Sequence, residues 1–186
     1  MLFDVCRERA LATLCESAAK LRNVAPIGEA EFRFNLSDLS NLHAAEAIVD
    51  RVRSSCIAPS CVIYCFELLD GTGYTLLRES FGRRAAICEQ TGNKLSYSRL
   101  LNEDKPNALY VGSSRSFTSR FSQHLGITGG AGTYSMRLKQ WASKEPLKVA
   151  TRLWFFPPAV ESWTLELLEQ ALWDMKRPLL GKRSGR

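Results

Sequence analysis

The segment that most restricts the fold of this chain is residues 108–126, ALYVGSSRSFTSRFSQHLG. Ala108-Leu109-Tyr110-Val111 is an apolar run that halts at Gly112, and Ser113-Ser114-Arg115 is a polar turn. Beyond it Phe117, Phe121 and Leu125 recur at i, i+4 and i+8, the spacing of one face of an α-helix. Ser116 stands at the N-cap position and Gly126 at the stop. The segment therefore reads as a strand, a turn and a helix. Arg120 and His124 are also four apart, so they lie one above the other beside the apolar stripe. A tyrosine leaving the strand and this Arg/His pair converge on one hollow. A phenol, a guanidinium and an imidazole at one spot suit a phosphate better than they suit a core.

Other segments supply partners. Cys61 to Phe66 is a strand by its β-branched and aromatic content. Alternation puts Val62, Tyr64 and Phe66 on one face and Cys61, Ile63 and Cys65 on the other. Taken alone, Tyr64 reads as a core-edge residue with its hydroxyl in water. Val149 to Phe156 is a further strand, stopped by Pro157-Pro158. The last helix spans Glu161 to Lys176, with Leu165, Leu168, Leu172 and Met175 at helical spacing and Pro178 as its stop. Glu166 on it points towards solvent, and Glu169 borders the buried stripe. A carboxylate there needs a partner, either an Arg or Lys or a divalent cation.

Residues 70–107 hold a helix around Thr75 to Cys88, then Gly92-Asn93 and a polar stretch ending at Lys105-Pro106-Asn107. This part carries Arg78, Arg83, Arg84, Lys94 and Arg99, and reads either as a DNA-contacting loop or lid or as a solvated helical decoration. The glycine-rich link Ile127 to Gly132 lacks the Lys-Ser/Thr of a Walker phosphate loop. Thr133 to Trp141 is expected to be a short helix with Tyr134, Arg137 and Lys139.

At the N-terminal end, Asp4 to Arg22 is an amphipathic helix with Leu11, Leu14, Ala18 and Leu21 on one face. After the break at Pro26-Ile27-Gly28, Ala30, Phe32 and Phe34 alternate with polar residues as a short strand. Ser37 or Ser40 then caps a helix running to about Arg53, with Leu42, Val49 and Val52 inward. His43 on that helix reads as a surface or satisfied histidine. Residues 1–58 thus form a helical N-terminal extension that braces the sheet, contacts DNA or mediates dimerisation.

The length of 186 residues points to one domain with room for a core and decorations. A formal charge of +6 favours a polyanionic partner. The six cysteines make no C-x-x-C pair, and with two histidines there is no zinc spacing. Reduced, buried thiols in a cytoplasmic protein are expected. Met1-Leu2-Phe3-Asp4 lacks a secretory start, and no apolar run has membrane-spanning length.

Tyr110-Val111-Gly112, Arg120 and His124, together with Val62-Ile63-Tyr64, Glu169 and Pro178, resemble the GIY-YIG nuclease superfamily. In that family a strand ending in Tyr-Ile-Gly or Tyr-Val-Gly leads through a turn into a helix bearing Arg and then His. An earlier strand carries Gly-Ile-Tyr, and a later helix carries Glu, followed by Pro and Asn. This chain has Val62 for the glycine, Gly181 for the asparagine and a long insert where the family has a short connection. The resemblance implies an α/β (α+β) domain over residues 59–186, with the insert at about 70–107 and a small three-stranded, mostly antiparallel sheet flanked by helices. It also implies a metal-dependent endonuclease hydrolysing DNA phosphodiester bonds, restriction-like or structure-specific, with a homodimer if both strands are cut. In the roles implied, Glu169 holds Mg²⁺ (or Mn²⁺) and Arg120 stabilises transition-state charge. Tyr64 or Tyr110 orients or deprotonates water, and His124 relays a proton or holds a tyrosine. Arg115, Arg83, Arg84, Arg137 and Lys182 are the candidate DNA contacts. A catalytically decayed nuclease fold that binds nucleic acid is the alternative, followed by a structural protein whose basic surface is incidental.

Overall fold

The computed structural model describes residues 2–91 and 95–183. Its organising strand is β2, Cys61–Leu68, which is covered on both faces and reads as a continuous apolar run for that reason. On one side β2 pairs with β3 (Tyr110–Ser114), and on the other with β4 (Lys148–Phe156). The outer edge of β4 takes β1 (Gly28–Asn35), so the order is β1-β4-β2-β3 and every pairing is antiparallel. The fold is α+β. The sheet has four strands rather than the three expected, and the fourth is the Ala30–Phe34 run. Its pattern was legible, with Phe32 and Phe34 buried and Glu29, Glu31 and Arg33 exposed. Alternation fixes which side chains turn inward but not which strand a segment pairs with.

One face of the sheet is covered by α2 (Leu42–Ser55), α4 (Phe117–Leu125) and the short α5 (Leu138–Trp141). Phe121 of α4 stacks on Phe66 at 5.8 Å and meets Phe34 edge-on at 6.3 Å, which ties α4 to β2 and β1. The long helix α3 (Gly73–Thr91) packs against α5, with Phe81 edge-on to Trp141 at 5.0 Å. Helix α6 (Ser162–Lys176) covers the other face. Its Leu165 and Trp173 point inward, whereas Met175, expected in the stripe, is 73% exposed.

Residues 28–55 of the expected extension are thus part of the sheet and core. Among them, Leu36, Leu39, Ile48, Val49 and Val52 are buried. The cap of α2 is Asn41, whose side chain accepts from the Ala44 N–H; Ser37 and Ser40 belong to a preceding 3-10 turn, and Leu42 is exposed. The N-terminal helix α1 (Leu2–Arg22) stands apart, with Leu11 and Leu14 both exposed. Its C-terminal end is tied to the start of α6 by the Lys20–Glu161 ion pair at 2.8 Å. Cys61 and Cys65 are buried as expected, while Cys6 and Cys15 are exposed.

The insert is stitched down rather than loose. Arg78 donates to the carbonyls of Leu101 and Glu103, and the Leu101 N–H donates to the Leu179 carbonyl. The Ser98 N–H donates to the Ser135 carbonyl, and Tyr97 bridges Ser135. That extended pairing explains why the expected helix over 133–141 shrinks to Leu138–Trp141. Residues 133–136 are held as a bridge to the insert, and Arg137 has a left-handed φ of 51°. Lys94, Gly92-Asn93 and the tail beyond Arg183 lie outside the described residues. No described helix is long and apolar enough to cross a membrane.

Candidate active site

The five residues singled out as catalytic reach one place from four elements. Tyr64 comes from β2, Tyr110 from β3, Arg120 and His124 from α4, and Glu169 from α6. The register of β2 on β3 sets Tyr64 directly opposite Gly112. The two phenol rings then stack at 6.1 Å between centroids, with 11° between their planes. This arrangement explains the glycine. A Cβ at Gly112 would fall 2.7 Å from the Tyr64 hydroxyl and 2.9 Å from the Tyr110 ring, so any side chain there would part the phenols.

Helix α4 adds the nitrogens. Its apolar residues Phe117, Phe121 and Leu125 bury one side, and Gly126, with φ 84°, ends it. His124 is completely buried. The Met136 N–H donates to His124 Nδ1 at 3.3 Å, so in the neutral ring the proton belongs on Nε2. Nε2 lies 3.1 Å from the Tyr64 hydroxyl, and its N–H therefore donates to the phenol oxygen. Burial, helped by the positive charge of Arg120, pushes His124 well below the usual imidazole range, and the ring is neutral. His124 is thus a fixed donor to Tyr64.

The Arg120 guanidinium faces both phenols and also donates to Gln123 Oε1 at 3.1 Å. Burial raises both tyrosines above the ordinary phenol value, Tyr64 by far the more; Arg120 pulls both back down. Glu169 is near enough to push the two phenols upward. It is nearly buried and accepts from the Ser113 hydroxyl. With Ser113, Ser114, Arg115, Ser162 and Glu166 it lines an open hollow of about 340 Å³. A buried carboxylate among hydroxyls, with a second carboxylate one turn before it, suits a hard cation that keeps most of its water. Among the described residues there is no group of three or more His, Cys, Asp or Glu side chains placed to form a complete metal cage.

A second hollow, of about 490 Å³, opens on the other flank of Tyr110 and Arg120. Its wall includes Lys182, one of the five basic residues expected at nucleic acid. The other four are placed differently. Arg115 is exposed but spends its guanidinium on the Pro158 and Val160 carbonyls, which clamps the β3–α4 turn to the start of α6. Arg83 lies on the surface of α3, paired with Glu145 at 3.6 Å. Arg84 lies over the rings of Phe81 and Tyr97 at 4.1 and 4.4 Å. Arg137, expected to face nucleic acid, is only 3% exposed, and donates to the carbonyls of Ser96, Gly130 and Thr133. It is a brace inside the protein, because three carbonyls converge where the insert meets the glycine-rich link.

The two departures in the sequence have local explanations. Val62 is buried in the main core on the Tyr64 face of β2. Gly181 has φ 128°, and a Cβ on it would meet the Trp173 ring at 2.7 Å and the Tyr110 ring at 3.2 Å. Trp173 and Tyr110 already fill the space that an asparagine side chain would need. Sequence reasoning missed Ser113, whose hydroxyl meets Glu169, although the serine pair in the turn is visible. It also missed the Met136 N–H, and a backbone donor has no signature in the sequence. No family model, no curated protein and no solved structure matches the chain.

Proposed function

We propose that the chain is a metal-dependent DNA endonuclease of the GIY-YIG type. The observation that carries this reading is the convergence of Tyr64, Tyr110, Arg120, His124 and Glu169 around one stacked phenol pair, drawn from segments more than a hundred residues apart. Hydrolysis of a phosphodiester needs a placed water, a proton acceptor for it, and donors for the charge that grows on the phosphoryl oxygens. Arg120 supplies a planar fork of donors at the mouth of the site.

Tyr110, partly exposed where Tyr64 is closed off from water, is the tyrosine whose oxygen could take a proton from the attacking water. Its phenolate would face the Arg120 guanidinium, which draws it back towards the ordinary phenol value. Both phenols hold their protons in the structure as it stands, so Tyr110 must first release its proton to the solvent of the open hollow before its oxygen can take one from water. His124, with its Nδ1 held by the Met136 N–H, keeps the Tyr64 phenol in place. Tyr110 packs against Tyr64 and His124 and lines the open flank. Glu169, with Ser113 and Glu166 beside it, would hold Mg²⁺ or Mn²⁺. Such an ion neutralises charge on the phosphate and on the leaving oxygen.

The test is cleavage of supercoiled plasmid with Mg²⁺ or Mn²⁺ by the wild type, Glu169→Ala and Arg120→Ala, each checked for folding. Metal-dependent cutting by the wild type alone is expected. Cutting that survives both substitutions would remove the site assignment. Salt-sensitive DNA binding with no cutting of plasmid or branched DNA by any form would favour the decayed nuclease that only binds. On this reading the enzyme is restriction-like or structure-specific, and a homodimer if it cuts both strands.

A further inference from the structure

We infer that the hollow beside Tyr110 and Arg120 receives an unpaired nucleobase next to the scissile phosphate, so that the substrate is DNA with a displaced or single-stranded nucleotide. This rests on the nuclease reading above and narrows its substrate. The hollow, of about 490 Å³, is lined by Tyr97, Arg99, Tyr110, Arg120, Tyr134 and Lys182, among others. It therefore joins directly onto two residues of the proposed catalytic cluster.

Tyr134 carries the argument. Its side chain is 70% exposed, in a glycine-rich segment where a tyrosine has no core to fill. Yet the backbone around it is pinned on both sides. The Ser96 N–H donates to the Ala131 carbonyl and the Ser98 N–H to the Ser135 carbonyl. The buried Arg137 ties the Gly130 and Thr133 carbonyls to that of Ser96. An exposed aromatic ring on a braced backbone is a preorganised stacking surface, since its ordering cost is met in folding rather than on binding.

The cations complete the chemistry. Arg99 and Lys182 are exposed, and neither forms an ion pair among the described residues. The Gly181 N–H donates to the Arg99 carbonyl, which holds the last wall against the insert. The insert thereby joins three segments, residues 96–101, 130–135 and 178–182, into one cationic, aromatic recess. In duplex DNA the base faces are already stacked on their neighbours, so Tyr134 can reach one only if the base is unpaired or turned out.

Fluorescence anisotropy in EDTA, where cutting does not interfere, tests this with three labelled DNAs. They are an uninterrupted duplex, the same duplex with one unpaired thymine, and that bulge with an abasic residue in place of the thymine. The thymine bulge should bind about 5- to 150-fold more tightly than the other two, the range that base–aromatic stacking supplies. Tyr134→Ala should bring the three affinities together, and Tyr134→Phe should keep them apart. Because Tyr134 is exposed, both variants should melt as the wild type does. Equal wild-type affinities for thymine and abasic bulges, or an equal loss on all three DNAs in Tyr134→Ala, would overturn the base recess and leave the nuclease reading standing. No binding to any of the three at low salt would overturn the base recess, and plasmid cutting with metal decides the nuclease reading separately.

Discussion

The inner and outer halves of the phenol cluster are built on opposite terms. Inside, Tyr64, His124 and the Met136 N–H form a chain of hydrogen bonds closed off from water. Outside, Tyr110 and Arg120 are partly exposed, and the residues beside them open onto two hollows. The inner half fixes positions, and its polar atoms must be satisfied because burial leaves them no water. The outer half keeps access to solvent, and in the proposed nuclease it is the half that would face the ligand. Changes inside should therefore alter both stability and activity, whereas changes outside should alter activity with little effect on stability.

The sharpest way to break this division is to compare Tyr110→Phe with Tyr64→Phe. In Tyr110→Phe plasmid cutting should fall by about 10²–10⁴-fold, the range of a lost proton acceptor, with little change in the melt. In Tyr64→Phe the buried His124 Nε2–H would lose its acceptor, which costs ~1–3 kcal/mol in a denaturant melt, and cutting should fall less. Full activity in Tyr110→Phe, with activity lost in Tyr64→Phe, would exchange the two tyrosines. On the outer side, Arg120→Ala should lower cutting by about 10²–10³-fold and shift the melt far less, since solvent can reach the space it leaves. A large loss of stability would place Arg120 with the inner half.

Gly112→Ala sits between the halves. Its methyl would press on both phenols at 2.7–2.9 Å, and overpacking of that kind costs ~1–3 kcal/mol. The expected readouts are a lower denaturation midpoint and slower cutting together; an unchanged melt would show that the phenols can part freely.

The smallest effect is a pH dependence. The folded His124 sits well below its ordinary 6.5, so below that pH the unfolded chain takes up a proton that the folded chain refuses. This contribution to stability is whole above about pH 6.5 and declines as pH falls, by at most ~1.4 kcal/mol per pH unit. Melts between pH 6.5 and 5 should show that slope in the wild type and lose it in His124→Gln. A slope that persists in the variant would assign it elsewhere.

The periodic features of the chain were legible before the structure. Phe117, Phe121 and Leu125 mark the buried face of α4 because a helix turns every 3.6 residues. That rule also placed Arg120 and His124 one above the other. Val62, Tyr64 and Phe66 share a face because strand side chains alternate. The spacing of Glu169 from Leu165 and Leu172 set it at the border of the core on α6. These readings depend only on local backbone geometry; the same rule put Leu11, Leu14, Leu42 and Met175 inward, and all four are exposed, because periodicity does not say whether a neighbour covers the face.

What the tertiary structure alone decided is pairing and exposure. The run Ala30–Phe34 became a fourth strand because β4 had a free edge, which no local pattern reveals. Arg137 is buried and Tyr134 exposed, although both stand in the same polar, glycine-rich stretch; the carbonyls that capture Arg137 come partly from Ser96, in a distant segment. His124 owes its neutral state and fixed proton to the Met136 N–H and to its burial. Local geometry chooses the face on which a side chain stands. The partners that meet it there are chosen by packing between segments far apart in the chain.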